Sequence, residues 1–348
     1  MAEPLRILFV PVSGEFGMGE YARSLAIAQA AGRRWPRAEI HFVLSRNAPY
    51  AATVPFAATL LDSSPTFHSS AVARLIRQFK PSIVVFDNAG RTAQLRAARR
   101  HKARVVFISA RARQRRKAFR WRWMRLLDEH WIAYPEFVAG DLGWLERFKL
   151  KRLGRPAVRY LDVILARAPI EHESILQRAA LKQGGFVLVV PGGGTGHPGA
   201  RDAAGEFLTA ANSLAEGDTV VYVGPPGPAN PRLRSFNSLP QADLAELMRA
   251  ARLVVTNGGS TLLQAIACGC ACIAVPIAKD QGQRIARCVD ADLAVAAELA
   301  AAGIVKAAAK LLRDEPARAS LARRASAFKL ANGIEVALNA LAHLAETA

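Results

Sequence analysis

The sequence lacks any long uncharged apolar run. A helix needs about 20 consecutive apolar residues to cross a bilayer. Although 51% of the 348 residues are hydrophobic, no continuously apolar segment approaches that length. The first residues, MAEPLRILFVPV, include an acid and pass directly into a strand-like run, which differs from a signal peptide. We therefore expect a soluble, unprocessed, cytoplasmic protein.

Cysteine is also scarce, and its spacing does not indicate a disulfide framework. Three of the four cysteines are Cys268, Cys270 and Cys272, and alternate residues on one strand are poorly placed to bridge each other. A metal cluster that included Cys288 would lack the usual paired spacing with two intervening residues. We expect small buried thiols, and we predict neither a metal site nor a cofactor.

Acidic residues are few, and one long segment has none. The chain has 28 Asp and Glu against 47 Lys and Arg, a net charge of +19. Arg91–Arg125 contains 14 basic residues and no acid. Within it, Arg111–Leu127 interleaves arginines with aromatic residues, and on a helix it would have one apolar side flanked by arginines. The apolar side would contain Phe119, Trp123, Leu126 and Leu127, and the flanks Arg115, Arg122 and Arg125.

Three interpretations of this basic segment remain open. It is a solvated basic helix whose apolar side belongs to the core, or it docks on an anionic membrane or a lipid-linked acceptor. Binding of nucleic acid is the third interpretation, and it is disfavoured because no nucleic-acid module pattern accompanies the segment.

Strand-like and helical segments alternate along the chain, which predicts an α/β protein with parallel sheets. A length of 348 residues favours two domains. We predict a first doubly wound domain over residues 1–168, a second over 169–325, and a C-terminal helix over 326–348 that packs back on the first. Two such domains in series would face a cleft, where ligands bind at the carboxyl ends of the strands. The predicted strands are LRILFVP, IHFVL, SIVVFD and ARVVFIS, then GFVLVV, DTVVYVG, RLVVTN and CACIAVPI.

One strand-to-helix junction has the residues expected of a phosphate site. The strand RLVVTN is followed by Gly258 and Gly259, and Ser260 and Thr261 then begin a helix. Glycines permit a tight turn and close backbone approach, and a helix start offers N–H groups and a positive dipole end to an anion. A plain helix cap at Ser260 is the alternative.

The chain at this junction resembles the GT-B nucleotide-sugar glycosyltransferases, in the branch of the N-acetylglucosaminyltransferase that makes peptidoglycan lipid II. The matching residues are Gly258, Gly259, Ser260, Thr261, Leu262, Ala265, Gly269, Pro276, Asp280 and Gln281. The resemblance implies that Gly259, Ser260 and Thr261 hold a diphosphate, Gln264 the ribose, and Asp280 with Gln281 the donor sugar. Gln264 stands where the family usually has Glu, and Arg284 with Ile285 replaces the usual Asn-Ala.

The N-terminal segment VSGEFGMGEYARSLAIAQA resembles the opening of the same branch and of the related nucleotide-sugar hydrolase of pseudaminic acid synthesis. Gly17, Gly19 and Arg23 match, and the resemblance places them in a glycine turn on the acceptor side. Glu20 stands at the position of the family's histidine. Glu20 is therefore a candidate base, an acceptor-binding carboxylate, or a plain helix-start residue.

Further candidates follow two other predicted strands. Asp87 ends SIVVFD and would project toward the cleft, as a second base, as a partner of Glu20, or only as a loop or helix cap. In the segment PGGGTGHPGA, the resemblance implies phosphate contacts for Gly192, Gly193 and His197, and for His197 loop chemistry is the alternative.

These residues and the resemblance predict transfer of a sugar from a nucleotide sugar to a hydroxyl acceptor, for which a lipid-linked molecule and an envelope glycan are candidates. The resemblance implies that the transfer proceeds with inversion. UDP is the nucleotide that the resemblance favours. Neither predicted cleft-facing loop contains an Asp-x-Asp stretch, so we expect metal independence. A nucleotide-sugar hydrolase and a non-catalytic nucleotide-sugar-binding protein are the alternatives.

Overall fold

The computed structural model describes residues 4–15, 18–166, 173–192, 203–228 and 230–346. The chain forms two α/β units. Unit 1 comprises Met1–Ile164 together with Ala331–Ala348, and unit 2 comprises Leu165–Leu330. The chain therefore leaves unit 1, forms all of unit 2, and returns to unit 1 for its last segment.

Each unit is built on one parallel sheet. The strands of unit 1 are β1 (Arg6–Pro11), β2 (Glu39–Ser45), β3 (Ala57–Leu61), β4 (Ile83–Asp87), β5 (Arg104–Ser109), β6 (Glu129–Ile132) and β7 (Ala157–Tyr160). Those of unit 2 are β8 (Val187–Val190), β9 (Val220–Val223), β10 (Leu233–Phe236), β11 (Leu253–Asn257), β12 (Cys272–Val275) and β13 (Val295–Ala296). The strand orders are β3-β2-β1-β4-β5-β6-β7 and β10-β9-β8-β11-β12-β13. The predicted α/β class with two doubly wound sheets is confirmed.

Helices connect the strands and cover the sheets. The first seven are α1 (Gly19–Arg34), α2 (Ser69–Phe79), α3 (Thr92–Arg100), α4 (Ala112–Ala118), α5 (Trp121–Met124), α6 (Glu136–Ala139) and α7 (Trp144–Leu153). In unit 2 they are α8 (Ile175–Arg178), α9 (Ala203–Leu214), α10 (Gln241–Ala250), α11 (Ser260–Ala267), α12 (Gln281–Asp290), α13 (Ala301–Arg313) and α14 (Glu315–Ala327). The last helix, α15 (Gly333–Glu346), belongs to unit 1 and packs against α1.

The sheet of unit 1 is buried on both faces, which explains its continuous apolar strands. Successive side chains of a strand point to opposite faces. In β1, Ile7 and Phe9 therefore pack in a cluster with residues of α1 and α15, whereas Leu8 and Val10 pack on the other face with residues of α2, α3 and α5. In unit 2, Val187 of β8 packs with residues of α9 and α13.

In each unit the strand order reverses at one point. The candidate site residues of each unit lie just after the strands that meet at its own reversal point. In unit 1, β1 pairs with β2 on one side and β4 on the other, and Pro11 lies opposite Asp87. In unit 2, β8 lies between β9 and β11, and Val190 lies opposite Thr256. Ligands of open parallel sheets bind beyond the strand carboxyl ends at such points.

Candidate functional site

In unit 2, the predicted turn lies between two well-defined elements. Strand β11 ends at Asn257 and helix α11 begins at Ser260, with Gly258 buried and Gly259 half-buried between them. Ser260 is exposed and Thr261 is half-buried. The first N–H groups of a helix have no acceptor inside it, and its dipole is positive at this end, so the start of α11 suits an anion.

Asn257 fastens this turn to the loop that follows β8. Its side chain is buried, its Nδ2 donates to the Pro191 carbonyl at 2.6 Å, and its Oδ1 accepts from the Gly259 N–H at 2.7 Å. Asn257 was not among the site residues predicted from the sequence. The available signal was a polar residue at the end of an apolar strand, directly before two glycines.

The glycines of the site are required by close packing. Gly192 has φ +76°, in the left-handed region, and a Cβ there would lie 2.5 Å from Asn257 Nδ2 and 3.4 Å from Thr261 Oγ1. A Cβ on Gly259 would lie 2.6 Å from Asn257 Oδ1, and one on Gly258 would lie 2.6 Å from Ile285 Cγ1. The structure therefore brings Gly192, the two turn glycines and Thr261 together. Gly193 and His197 lie outside the described residues.

Helix α12 supports the turn from behind. Gln281 is buried, and its Oε1 accepts from the backbone N–H groups of Gly258 at 3.2 Å and Ile277 at 3.0 Å. The carbonyl oxygen of the Gln281 side chain is therefore already bonded to the turn. The contact of Gln281 with a donor sugar stays a prediction. Asp280 is exposed at the N-cap position of α12.

Arg284 adds a buried positive charge to the same turn. Its side chain is 7% exposed, it donates to the Gly258 carbonyl, and its Nη2 lies 3.3 Å from Asp280 Oδ2. The arginine that replaces the Asn of the resembling pattern is thus bonded to the backbone of the turn. Gln264, the predicted ribose contact, is half-buried on α11 one turn after Ser260.

In unit 1, Glu20 lies at the start of α1 and is bonded to Asn88. Asn88 Nδ2 donates to Glu20 Oε1 at 2.8 Å, and Arg111 Nη2 lies 3.9 Å from the same oxygen. Asn88 is buried with φ +52°, and its Oδ1 accepts from the Ala110 N–H at 2.9 Å. Because that bond fixes the amide, the NH₂ group must face Glu20. The sequence analysis gave Asn88 no role.

Asp87 does not project from the strand edge as the sequence predicted. Its carboxylate is completely buried and accepts from Arg23 Nε at 2.9 Å, Arg23 Nη2 at 2.6 Å and Ser24 Oγ at 3.3 Å. Burial raises the pKa of Asp87 to about 6, although Arg23 opposes the rise. Burial lowers the pKa of Arg23, but Asp87 more than offsets this and keeps it above its usual value. At neutral pH the two form a charged pair that supports the base of α1.

The remaining predicted residues of unit 1 contribute less. Gly19 is the first residue of α1, is exposed, and would have open space around a Cβ. Gly17 lies outside the described residues. Arg23, placed by resemblance on the acceptor side, is engaged with Asp87.

The basic segment Arg111–Leu127 is two short helices, α4 and α5, and not one amphipathic helix. Phe119, Trp123 and Leu127 are between 0 and 3% exposed and pack in the core of unit 1. Trp121 is 39% exposed, and several arginines of the segment face solvent. The apolar side that membrane docking required is therefore core, which favours the first of the three interpretations.

The cysteines are buried or half-buried thiols, as their spacing suggested. Cys270 Sγ donates to the Met248 carbonyl at 2.6 Å, and burial raises the pKa of Cys288 to about 11. In the described part of the chain, no cluster of three or more His, Cys, Asp or Glu side chains has the arrangement of a metal site. Across the same residues, we find no helix whose length and apolar character would let it span a membrane.

No protein-family profile matches the sequence, and no curated protein matches it either. Solved structures do match its fold. The glycosyltransferase SnogD from Streptomyces nogalater aligns with a TM-score of 0.64 at 16% identity, covering 98% of this chain and 100% of that chain. MurG from Acinetobacter baumannii aligns with a TM-score of 0.62 at 12% identity, covering 98% and 100%.

A third similar structure comes from another class of enzyme. A protein described as a UDP-N-acetylglucosamine 2-epimerase from Listeria monocytogenes aligns with a TM-score of 0.61 at 14% identity, covering 97% of this chain and 94% of that chain. Identities this low show the fold alone, which is the GT-B fold of two doubly wound units.

Proposed function

We propose that this chain is a glycosyltransferase that moves a sugar from a nucleotide-sugar donor, UDP-linked, to a hydroxyl acceptor. The observation that carries the proposal is the glycine turn before α11. Asn257, Gln281 and Arg284 fasten it at the point where the sheet of unit 2 reverses its strand order. The resemblance of this segment to the GT-B branch supports the same conclusion.

The donor diphosphate would bind at the start of α11. The Gly258 and Gly259 N–H groups already donate to Gln281 and Asn257, so these glycines serve by letting a phosphate approach the backbone. The hydroxyls of Ser260 and Thr261 and the N–H groups at the helix start would then bond the phosphate oxygens. Gln264 would hold the ribose, and Asp280 with the amide of Gln281 the sugar.

Glu20 would act as the base in a single displacement with inversion. The acceptor oxygen forms a bond to the anomeric carbon while the bond from that carbon to the phosphate oxygen breaks. The hydroxyl proton goes to Glu20, and the charge on the leaving diphosphate is stabilised at α11. Asn88 would orient the Glu20 carboxylate through its 2.8 Å hydrogen bond. Asp87 would support α1 and take no proton.

The donor site is tested by the Ser260→Ala, Thr261→Ala double variant. We expect it to fold and to bind UDP more weakly, because each hydrogen bond to a charged group is worth about 1.5–3 kcal/mol. Isothermal titration calorimetry with UDP, GDP and TDP measures the change. Ser235→Ala with Ser238→Ala, two exposed hydroxyls of the same unit, is the matched control. Unchanged binding of all three diphosphates by the double variant would contradict the phosphate assignment.

The base is tested by Glu20→Gln, which keeps an acceptor oxygen for the Asn88 amide. We expect normal folding and donor binding but turnover reduced by about 10²–10⁴, the usual contribution of a general base. Glu39→Gln, an exposed acid of unit 1, is the control. If Asp87→Asn folds and loses turnover while Glu20→Gln keeps it, the base has been assigned to the wrong residue.

Product analysis separates transfer from the two alternatives. Mass spectrometry of reactions with UDP-sugars would show a glycosylated acceptor only when lipid or glycan extract is present, if the chain is a transferase. Free sugar without an acceptor would indicate the hydrolase. Binding without any product would indicate a nucleotide-sugar-binding protein that has lost catalysis.

Peripheral contact of Arg111–Leu127 with an anionic membrane would depend on its exposed arginines and Trp121, since its other apolar residues are core.

A further inference from the structure

Helix α7 carries a cluster of large, exposed apolar side chains. Trp144 is 71% exposed, Phe148 is 56% exposed and Leu145 is 49% exposed. Three of the seven exposed large hydrophobic residues in the described ranges thus lie within five positions. None of the ten residues of α7 is buried. Trp144, Leu145 and Phe148 therefore do not hold the helix against the protein.

Polar contacts hold α7 in place, and they come from the side of the helix opposite Trp144 and Phe148. Arg115 of α4 lies 2.7 Å from Glu146 Oε2 through its Nη2, and it also donates to the carbonyls of Ala139, Gly140 and Asp141. Lys149 Nζ donates to the Phe119 carbonyl at 3.1 Å. Arg115 and Glu146 are 11% and 19% exposed. Glu146 and Lys149 of α7 thus bond to the rest of the protein, whereas its two aromatic residues face solvent.

Basic side chains flank the exposed aromatic residues. Trp144 and Phe148 are four residues apart and so share one side of the helix. Arg147 and Lys151 fall on one flank of this pair, and Arg152 falls with Leu145 on the other. All six residues are exposed, and together they form the outer face of α7. An amphipathic helix with Trp, Phe and Leu between basic residues is typical of helices that lie in a membrane interface.

We propose that the outer face of α7 docks on an anionic lipid bilayer, with Trp144, Leu145 and Phe148 in the headgroup region and the basic residues against lipid phosphates. The proposal is independent of the proposed enzymatic function, because it rests only on the geometry of this helix. It also differs from the sequence-based expectation for Arg111–Leu127, whose main apolar residues are core.

Two other occupants fit this face less well. In a symmetric dimer the same patch meets itself, so Arg147, Lys151 and Arg152 would be brought close to their own copies. A nucleic acid would match the charge, and aromatic rings can stack on bases, but the exposed Leu145 offers no stacking surface. A lipid surface uses both the aliphatic and the aromatic residues together with the charge.

Sedimentation with vesicles tests the proposal on the full chain. Vesicles of phosphatidylcholine alone are compared with vesicles that also contain phosphatidylglycerol, at ~0.1 M and ~1 M salt, where the Debye length falls from ~10 Å to ~3 Å. We expect wild type to bind the anionic vesicles and to lose most of this binding at high salt. Each basic residue near such a surface is worth about a fivefold change in partitioning. Arg147→Glu with Lys151→Glu should therefore weaken binding about 25-fold or more, and Trp144→Ser with Phe148→Ser should weaken it at both salt levels.

The matched control makes the same change in net charge at a different place on the protein. Lys306→Glu with Lys310→Glu alters two exposed lysines of α13 in unit 2, and we expect it to bind vesicles like wild type. Thermal unfolding midpoints establish that every variant is folded.

Three results would overturn the proposal. The first is that wild type fails to bind anionic vesicles, and the second is that the α13 control loses as much binding as the α7 variant. In the third, the aromatic variant abolishes a concentration-dependent dimer, or binding of a single-stranded RNA, while vesicle binding does not change.

Discussion

Replacing Asp87 by Asn removes one charge from the buried pair with Arg23 while keeping the size of the side chain. The wild-type carboxylate accepts three hydrogen bonds from Arg23 and Ser24, at 2.6 to 3.3 Å. An amide would place an NH₂ group against one of these donors. It would also leave Arg23, 7% exposed, as a buried charge without its hydrogen-bonded counterion. Breaking one side of a buried ion pair costs about 3–5 kcal/mol, a large part of the 5–15 kcal/mol that stabilises a typical domain.

Tryptophan fluorescence measures this effect in unit 1 alone. All five tryptophans of the chain belong to unit 1, namely Trp35, Trp121, Trp123, Trp131 and Trp144. We expect the urea midpoint of Asp87→Asn to fall by roughly 1–3 M at an unchanged slope. The pair Arg23→Met with Asp87→Leu removes both charges, and it should be less destabilised than Asp87→Asn. An Asp87→Asn midpoint equal to that of wild type would refute a structural role for the pair.

Two further predictions concern stability. His130 is buried with a pKa lowered to about 3 by burial, so the folded chain keeps it neutral while the unfolded chain binds a proton below about pH 6.5. The free energy of unfolding should therefore decrease on acidification, by about 2 kcal/mol between pH 6.5 and 5. His130→Gln should remove this part of the decrease in urea titrations, and an equal decrease in both proteins would contradict the assignment. A Cβ on Gly258 would lie 2.6 Å from Ile285 Cγ1, so Gly258→Ala should destabilise unit 2 by about 1–3 kcal/mol in scanning calorimetry. Gly282→Ala, where a Cβ meets open space, should be neutral or slightly stabilising, and equal effects of the two would count against the packing argument.

The central strands were predictable because both of their faces are buried. β1, β4, β5, β8 and β11 are continuous apolar runs, and the sequence analysis placed all of them. The strands it missed lack this pattern. β3, β7, β10 and β13 are edge strands, and none of them is fully buried. β6 contains the buried polar residues Glu129 and His130, and Glu129 is satisfied by Arg159 at 2.8 Å. Such pairing depends on distant parts of the chain and leaves no local signal.

The glycine turn of the site was predictable from the sequence, but the contacts that hold this turn in place were not. Two glycines between an apolar strand and a helix are a local pattern, and the structure places them as expected. The roles of Asn257 and Arg284 depend on bonds to Pro191 and Gly258, which only the folded unit brings near. For Asp87 the sequence-based prediction itself was wrong, because a polar residue at the end of a strand is normally expected to be exposed. Its burial depends on Arg23, which lies 64 positions earlier.

The return of the chain to unit 1 sets an order of assembly during synthesis. Unit 2 is one continuous segment, Leu165–Leu330, so all of its chain has been made before α15 is translated. Unit 1 must wait, because Ile334, Leu338 and Leu341 of α15 complete the core around β1. Until then, the apolar face that α15 covers stays open to water and to other nascent chains. For unit 1, the last described helix to leave the ribosome is the one that closes its core.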